Sequence, residues 1–318
     1  MPTSVLRTSV ALVLAGIVGG AVHAAPRTFV ASTGNDVNAC SLTAPCRTFT
    51  GALSKTDPGG EIVALDSGDF SPVTIGKAVS IIGPASLDAR IKTNIEAAAI
   101  IVQAGASDVV SLRGISLTSG TSPSTAYGIW FKSGMALHID GVAINDFNSG
   151  VFQSASGFMA IRDSRIHNTL FDAITVSVLS GGTGAFAIDR VNIEGAGYKG
   201  LRLGGIANGY IRDSHISFVR DAANTQGSGI DATANSPGQR IDVAVDRCEI
   251  VSSYYGLLAA VSNGATAANI RLSNSTVLDN TVRYSITGGA SLISLQNNNL
   301  GAADDGSTAG SITASGKF

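Results

Sequence analysis

Charge is what this chain has least of. Only 14% of its 318 residues are Asp, Glu, Lys or Arg, against roughly a quarter in an ordinary globular protein. Glu (4) and Lys (6) are rarer than Asp (19) and Arg (15), so strong helix formers are scarce and a helical bundle is excluded. There is no βα alternation, which removes dinucleotide-fold and (β/α)8-barrel readings. A net charge of −2 offers no basic footprint, so no nucleic-acid partner is expected. No phosphate-binding loop, dinucleotide fingerprint or Ser-His-Asp order is present. Beyond the first two dozen residues no apolar run is long enough to cross a membrane. Plentiful instead are glycine (38 residues) and apolar residues (44%), enough for many turns and a continuous core.

Residues 1–24 are expected to be an export signal. Arg7 precedes an apolar run over 10–22, and small residues (Val22, Ala24) stand before Ala25 as signal peptidase requires. A secreted or periplasmic location follows, with cleavage near Ala24. Cys40 and Cys46 enclose a Pro-containing loop, a spacing able to close a small disulfide in an oxidising compartment. Cys248 is left over between apolar neighbours and is expected to be a buried, inert thiol. With no metal-ligand spacing in the chain, no metal is expected.

A repeat runs through the exported part. Its clearest copies are Ile161-Arg-Asp-Ser-Arg-Ile166, Ile188-Asp-Arg-Val-Asn-Ile193, Ile211-Arg-Asp-Ser-His-Ile216 and Val245-Asp-Arg-Cys-Glu-Ile250, with weaker ones at 112–117, 139–144, 272–277 and 295–300. A second marker keeps the same beat: Gly128-Ile-Trp, Gly150-Val-Phe, Ala173-Ile-Thr, Gly200-Leu-Arg, Gly229-Ile-Asp, Gly256-Leu-Leu and Ser285-Ile-Thr. A unit this short, made of short strands and turns without a helix, cannot bury its own apolar face and must stack on its neighbours. A coil of three short strands fits, with inward apolar ladders at roughly 4.8 Å spacing.

On these markers the chain resembles the right-handed parallel β-helix proteins of the pectate-lyase-like superfamily, over roughly residues 27–300. Its opening resembles secreted β-helix proteins in Phe29-Val-Ala-Ser-Thr-Gly-Asn-Asp36, Pro45-Cys-Arg-Thr-Phe49, Ala52-Leu53 and Pro58-Gly-Gly-Glu-Ile62. The expected fold is therefore all-β, a single solenoid of about eight to nine coils. Residues 25–60 form an N-terminal cap region holding the Cys40/Cys46 loop, 61–300 the repeats, and 301–318 a tail or last partial coil. Phe49, Ala52, Leu53 and Thr56 have helical spacing, and a short helix there would cover the open end of the first coil. The final Phe318 is a feature of outer-membrane proteins, but no run of amphipathic barrel strands precedes it.

Stacking turns equivalent positions into rows. After the first marker the row reads Arg113, Asp140, Arg162, Asp189, Arg212, Asp246, then Ser273 and Gln296, an outward ladder of alternating charge read as structural. The next row (Gly114, Gly141, Asp163, Arg190, Asp213, Arg247, Asn274, Asn297) is expected to carry a left-handed bend. His138, His167 and His215 lie in or near the ladders without an acidic partner row. Gly-Gly pairs at 181–182, 204–205 and 288–289 read as turns, and segments 118–126, 220–228 and 232–240 as polar excursions between coils.

The second marker carries the functional expectation. The resemblance implies that the strand entered through such a Gly-apolar motif lines a substrate groove. Before the marker stand Tyr127, Ser149, Asp172, Lys199, Ser228, Tyr255 and Tyr284; on its outward side stand Trp130, Phe152, Thr175, Arg202, Asp231 and Leu258. Aromatic rings stack on the C–H faces of sugars, and charges fix uronic carboxylates or hydroxyls. The expected ligand-binding residues are Tyr127, Trp130, Phe152, Asp172, Lys199, Arg202, Asp231 and Tyr255. The bland counterpart is ordinary surface packing with cross-coil pairs Asp172–Lys199 and Arg202–Asp231.

Catalysis has no recognisable motif here. A glycosidase needs two carboxyl groups about 5–9.5 Å apart, whereas strand geometry separates Asp172 and Asp231 by about 14 Å. The leading expectation is binding of an extracellular or envelope polysaccharide without a cofactor. The first alternative is a divergent polysaccharide lyase acting on polyuronates, with Lys199 or Arg202 as base and Ca²⁺ bridging Asp172 and Asp231. The second is a structural or adhesin-like surface solenoid. Nothing in the sequence sets an oligomeric state.

Overall fold

The computed structural model describes residues 25–84, 86–93, 97–120, 126–178, 181–295, 297–301 and 312–315. The expected signal segment 1–24 lies outside them, as do Gln296 and most of the tail. The chain is a right-handed parallel β-helix. Each coil gives one strand to each of three parallel faces. The second face has nine strands, so nine complete coils are present among the described residues.

The inward rows explain the stacking. On the third face Ile129, Val151, Ile174, Leu201, Ile230 and Leu257 lie in register, all fully buried. On the second face Leu117, Ile144, Ile166, Ile193, Ile216, Ile250 and Val277 do the same. Each such side chain contributes roughly 1.5–3 kcal/mol by leaving water. The glycine of the second marker has a steric cause. A Cβ on Gly128 would lie 2.6 Å from the Gly150 carbonyl oxygen and 2.7 Å from Ile144 Cγ2 of the next coil, and Gly150 repeats this against Ala173 and Ile166. At these coils the corner leading into the third face therefore has no room for a Cβ, although Ala173 stands in the same row.

The bend after the first face is left-handed as expected. Gly114, Gly141, Asp163, Arg190, Asp213, Arg247 and Asn274 all have φ between 48° and 61°. The charged row pairs in register from Arg113 to Asp246. Arg190 binds Asp163 at 2.7 Å and Asp189 at 2.9 Å, Arg212 binds Asp189 at 2.9 Å, and Arg247 binds Asp213 at 2.6 Å. A second left-handed row, absent from the sequence reading, follows the second face at Asp146, Asn168, Gly195, Phe218, Ser252 and Asp279.

The open N-terminal end is covered by the helix Phe49–Lys55, with Phe49, Ala52 and Leu53 buried. Thr48 caps it by accepting from the Gly51 N–H, and the Phe49 ring meets Phe70 at 5.0 Å. Cys40 and Cys46 form the disulfide that closes the preceding loop. Cys248 is buried, and burial pushes its thiol up to about 11, consistent with an inert side chain.

Four expectations need correction. The pair Gly204–Gly205 is not a turn: it lies inside one strand, Lys199–Arg212, that runs from the third face into the first without a loop. Gly205 has φ +68°, and a Cβ there would meet the Val178 carbonyl oxygen at 2.0 Å. Segment 232–240 is not all excursion, since the strand Ser228–Ala234 takes its first part into the third face. The last copies slip out of phase: Leu272 pairs with Ser294 rather than Leu295, and Tyr255 pairs with Val282 rather than Tyr284. His215 does have an acidic partner, with Nδ1 3.1 Å from Glu249 Oε2 on the next coil.

Candidate functional site

The third face brings the singled-out residues together. Tyr127 stands beside Ser149, Asp172 beside Lys199, Lys199 beside Ser228, and Ser228 beside Tyr255. The parallel outward row runs Trp130, Phe152, Thr175, Arg202, Asp231 and Leu258 in register.

Towards the N-terminal end the face is aromatic. The Tyr127 ring lies 5.3 Å from Trp130 and 5.2 Å from Phe152, and Trp130 stacks on Phe152 at 6.0 Å. All three remain half-buried rather than covered. Trp130 Nε1–H donates to Ser154 Oγ at 2.9 Å, which fixes the indole, and Lys132 Nζ lies 4.6 Å from the indole ring. Tyr255 sits at the other end, edge-on to Tyr254 at 4.8 Å.

Between the aromatic ends lie four charged side chains, and they pair along diagonals. Lys199 Nζ binds Asp231 Oδ2 at 3.0 Å and donates to Ser228 Oγ at 3.1 Å; Arg202 reaches Asp172 Oδ2 at 3.5 Å. The expected in-row pairs Asp172–Lys199 and Arg202–Asp231 are therefore not the ones formed. Register fixes which Cα atoms are neighbours, but a long cation ends several ångströms away, and here each reaches a carboxylate three residues along the adjacent strand.

Burial differs sharply within this group. The side chains of Lys199 and Asp231 are 7% and 9% exposed, while Arg202 is 52% exposed. Asp172 is buried, accepts from Thr175 Oγ1–H at 2.9 Å through Oδ2, and makes no hydrogen bond through Oδ1. Burial pushes its carboxyl above the usual carboxylate range, and Arg202, Thr175 and Lys199 pull it only part of the way back. Asp231 accepts from Thr233 Oγ1–H as well as from Lys199.

Two hollows open along this face. One, of about 300 Å³, is lined by Tyr127, Phe152, Phe171, Asp172, Thr175 and Arg202 among others. The other, of about 580 Å³, is bordered by Arg202, Tyr198, Lys199, Asp231, Thr233 and Gln239. Arg202 forms the ridge shared by both. Sequence reasoning missed Phe171 and Tyr198. Both stand one residue before the row that begins at Tyr127, as does Tyr254, so the same offset in each coil would have found this aromatic rim. Among the described residues no group of three or more His, Cys, Asp or Glu side chains converges to hold a metal ion.

With that geometry in place, the comparisons bear on the fold. A crystal structure of pectate lyase Pel9A superposes with a TM-score of 0.65 over 90% of this chain and 82% of its own, at 14% identity. Alginate lyase from Paenibacillus sp. str. FPU-7 gives 0.58 at 16% identity, covering 86% of this chain and 95% of its own. A rhamnogalacturonan lyase gives 0.50 at 10% identity, covering 89% and 84%. The protein thus has the pectate-lyase-like parallel β-helix architecture. No family model matches the sequence, and no curated protein matches it.

Proposed function

We propose that this protein is exported and binds an extracellular or envelope polysaccharide along its third face, from Tyr127 to Tyr255. The observation that carries the reading is the juxtaposition, on one face, of half-exposed stacked rings with two hollows lined by polar and charged side chains. Flat rings accept the C–H face of a sugar, while the flanking hydroxyls and charges fix its orientation. The three structural neighbours, each named as a lyase of a polysaccharide, support the substrate class. The segment 1–24 and the Cys40–Cys46 disulfide support export.

Because the chain has one Trp and it stands in the site, indole fluorescence reports directly on occupancy. The purified exported form is titrated with a panel of polysaccharides, with and without Ca²⁺, while ultraviolet absorbance follows unsaturated product. A saturable fluorescence shift without product is the expected result. Product that Lys199→Ala or Arg202→Ala abolishes replaces the reading with a lyase. Silence in both channels replaces it with the surface-solenoid reading.

A further inference from the structure

The charged side chains that line the two hollows are Asp172, Lys199, Arg202 and Asp231, two cations and two carboxylates. Each cation is already engaged by a carboxylate. The other cation close by, Lys132, lies against the Trp130 ring and lines neither hollow. The two pairs cancel, so a polysaccharide with a carboxylate on every sugar would meet no net positive charge in these hollows. To claim either cation, an acidic sugar would have to displace the carboxylate that already holds it.

Hydrogen-bond chemistry points the same way. Asp172 Oδ1 makes no hydrogen bond. A carboxylate oxygen only accepts, so the group that complements it must donate; a sugar hydroxyl does and the carboxylate of a uronate does not. The wider hollow adds Thr233, Asn235, Ser236 and Gln239, uncharged side chains that both donate and accept, as hydroxyls do.

Building on the glycan-binding reading above, we infer that the third face selects an uncharged polysaccharide. Rings at Tyr127, Trp130 and Phe152 hold the sugar faces, and the polar side chains of the two hollows read the hydroxyls. Asp172 and Asp231 act as the selectivity elements, since they neutralise Arg202 and Lys199 and leave acidic chains no net positive charge to bind.

The test titrates the exported form with neutral polysaccharides and with polyuronates of matched length, in EDTA, at low and high salt, by indole fluorescence and calorimetry. Expected is binding to a neutral polysaccharide, with affinity changing less than about threefold with salt, as pairing without net charge requires. Polyuronate binding that weakens with salt, with neutral chains ignored, overturns the selectivity while leaving glycan binding standing. Failure to bind either class overturns the glycan reading itself. The double variant Asp172→Asn/Asp231→Asn frees both cations and should gain polyuronate affinity by about tenfold or more. Where the double variant does not fold, Asp172→Asn alone serves, since its partner Arg202 is half exposed. No gain in the folded variant overturns the role given to these carboxylates.

Discussion

Two regions of this solenoid carry rows of alternating charge, and they behave differently. At the corner between the first and second faces, Asp163, Arg190, Asp213 and Arg247 repeat coil by coil, and each Arg binds the Asp of the previous coil through two nitrogens. On the third face the charges do not repeat, the pairs cross diagonally, Lys199 and Asp231 are buried, and Asp172 keeps an oxygen without a hydrogen bond. The corner uses charge to keep stacked coils compatible. The face holds both members of one pair, Lys199 and Asp231, out of water, whereas in the corner pairs Arg190–Asp163 and Arg247–Asp213 each Arg is half exposed. Regularity thus accompanies the structural ladder of this solenoid, and the break in regularity coincides with the candidate site.

Removing one partner of the buried pair probes this contrast hardest. Lys199→Ala leaves Asp231 buried without its cation and should lower unfolding stability by about 3–5 kcal/mol in denaturant titration. Lys199→Met with Asp231→Leu should restore most of it. A loss no larger than that of a corner variant would show that burial on the face is inconsequential.

Next in size is ligand affinity. Trp130→Ala removes a stacked ring and should weaken polysaccharide binding by about 3–10-fold, from about 0.5–1.5 kcal/mol per aromatic contact, read by calorimetry. The same substitution should barely move the melting temperature if the aromatic cluster serves binding rather than packing.

Asp172 sharpens the comparison through pH. Its folded carboxyl titrates above the unfolded one, so the folded state holds the extra proton between the two. The stability linked to it is present below the ordinary carboxylate pKa and is lost as pH rises through the folded value. Asp172→Asn should therefore raise the melting temperature at neutral pH, with the gain vanishing in acid. A gain unchanged by pH would disconnect the effect from titration.

The smallest change is expected at the corner. Arg190→Ala should shift the melting temperature little, because Arg190 and Asp163 are each about half exposed and the buried Asp189 keeps its bond to Arg212. A shift comparable to that of Lys199→Ala would erase the distinction between the two regions.

Most of the fold was legible because its causes repeat. Isoleucines at fixed steps mark the inward rows, and glycines mark most coils of the crowded corner leading into the third face. Legibility failed where repetition failed. At the last coil Ser294, not Leu295, meets Leu272, and no marker announces the slip. The crossing at Gly204–Gly205 was hidden because a pair of glycines ordinarily signals a turn, whereas here it lets a strand pass tightly beside Val178. The rows of the candidate site were legible as Cα neighbours. Its pairs were not, because the reach of Lys199 and Arg202 decides which carboxylate each one meets. His215 illustrates the same limit, its partner Glu249 lying directly across on the next coil, as Glu194 lies across from His167.

The unbroken strand Lys199–Arg212 has a consequence for how such a protein changes over evolutionary time. Solenoids lengthen by duplicating coils and diversify by accepting insertions at corners, because each coil depends only on its neighbours. At the other corners between the third and first faces a stretch of chain outside the strands is available for insertion. At this crossing there is none, and added residues would unzip the parallel pairing on both sides at once. Coils can thus be added or removed on either side of the crossing, while the crossing itself tolerates no insertion. It carries Lys199 and Arg202 themselves, so the stretch of backbone least open to insertion also holds the charged centre of the candidate site.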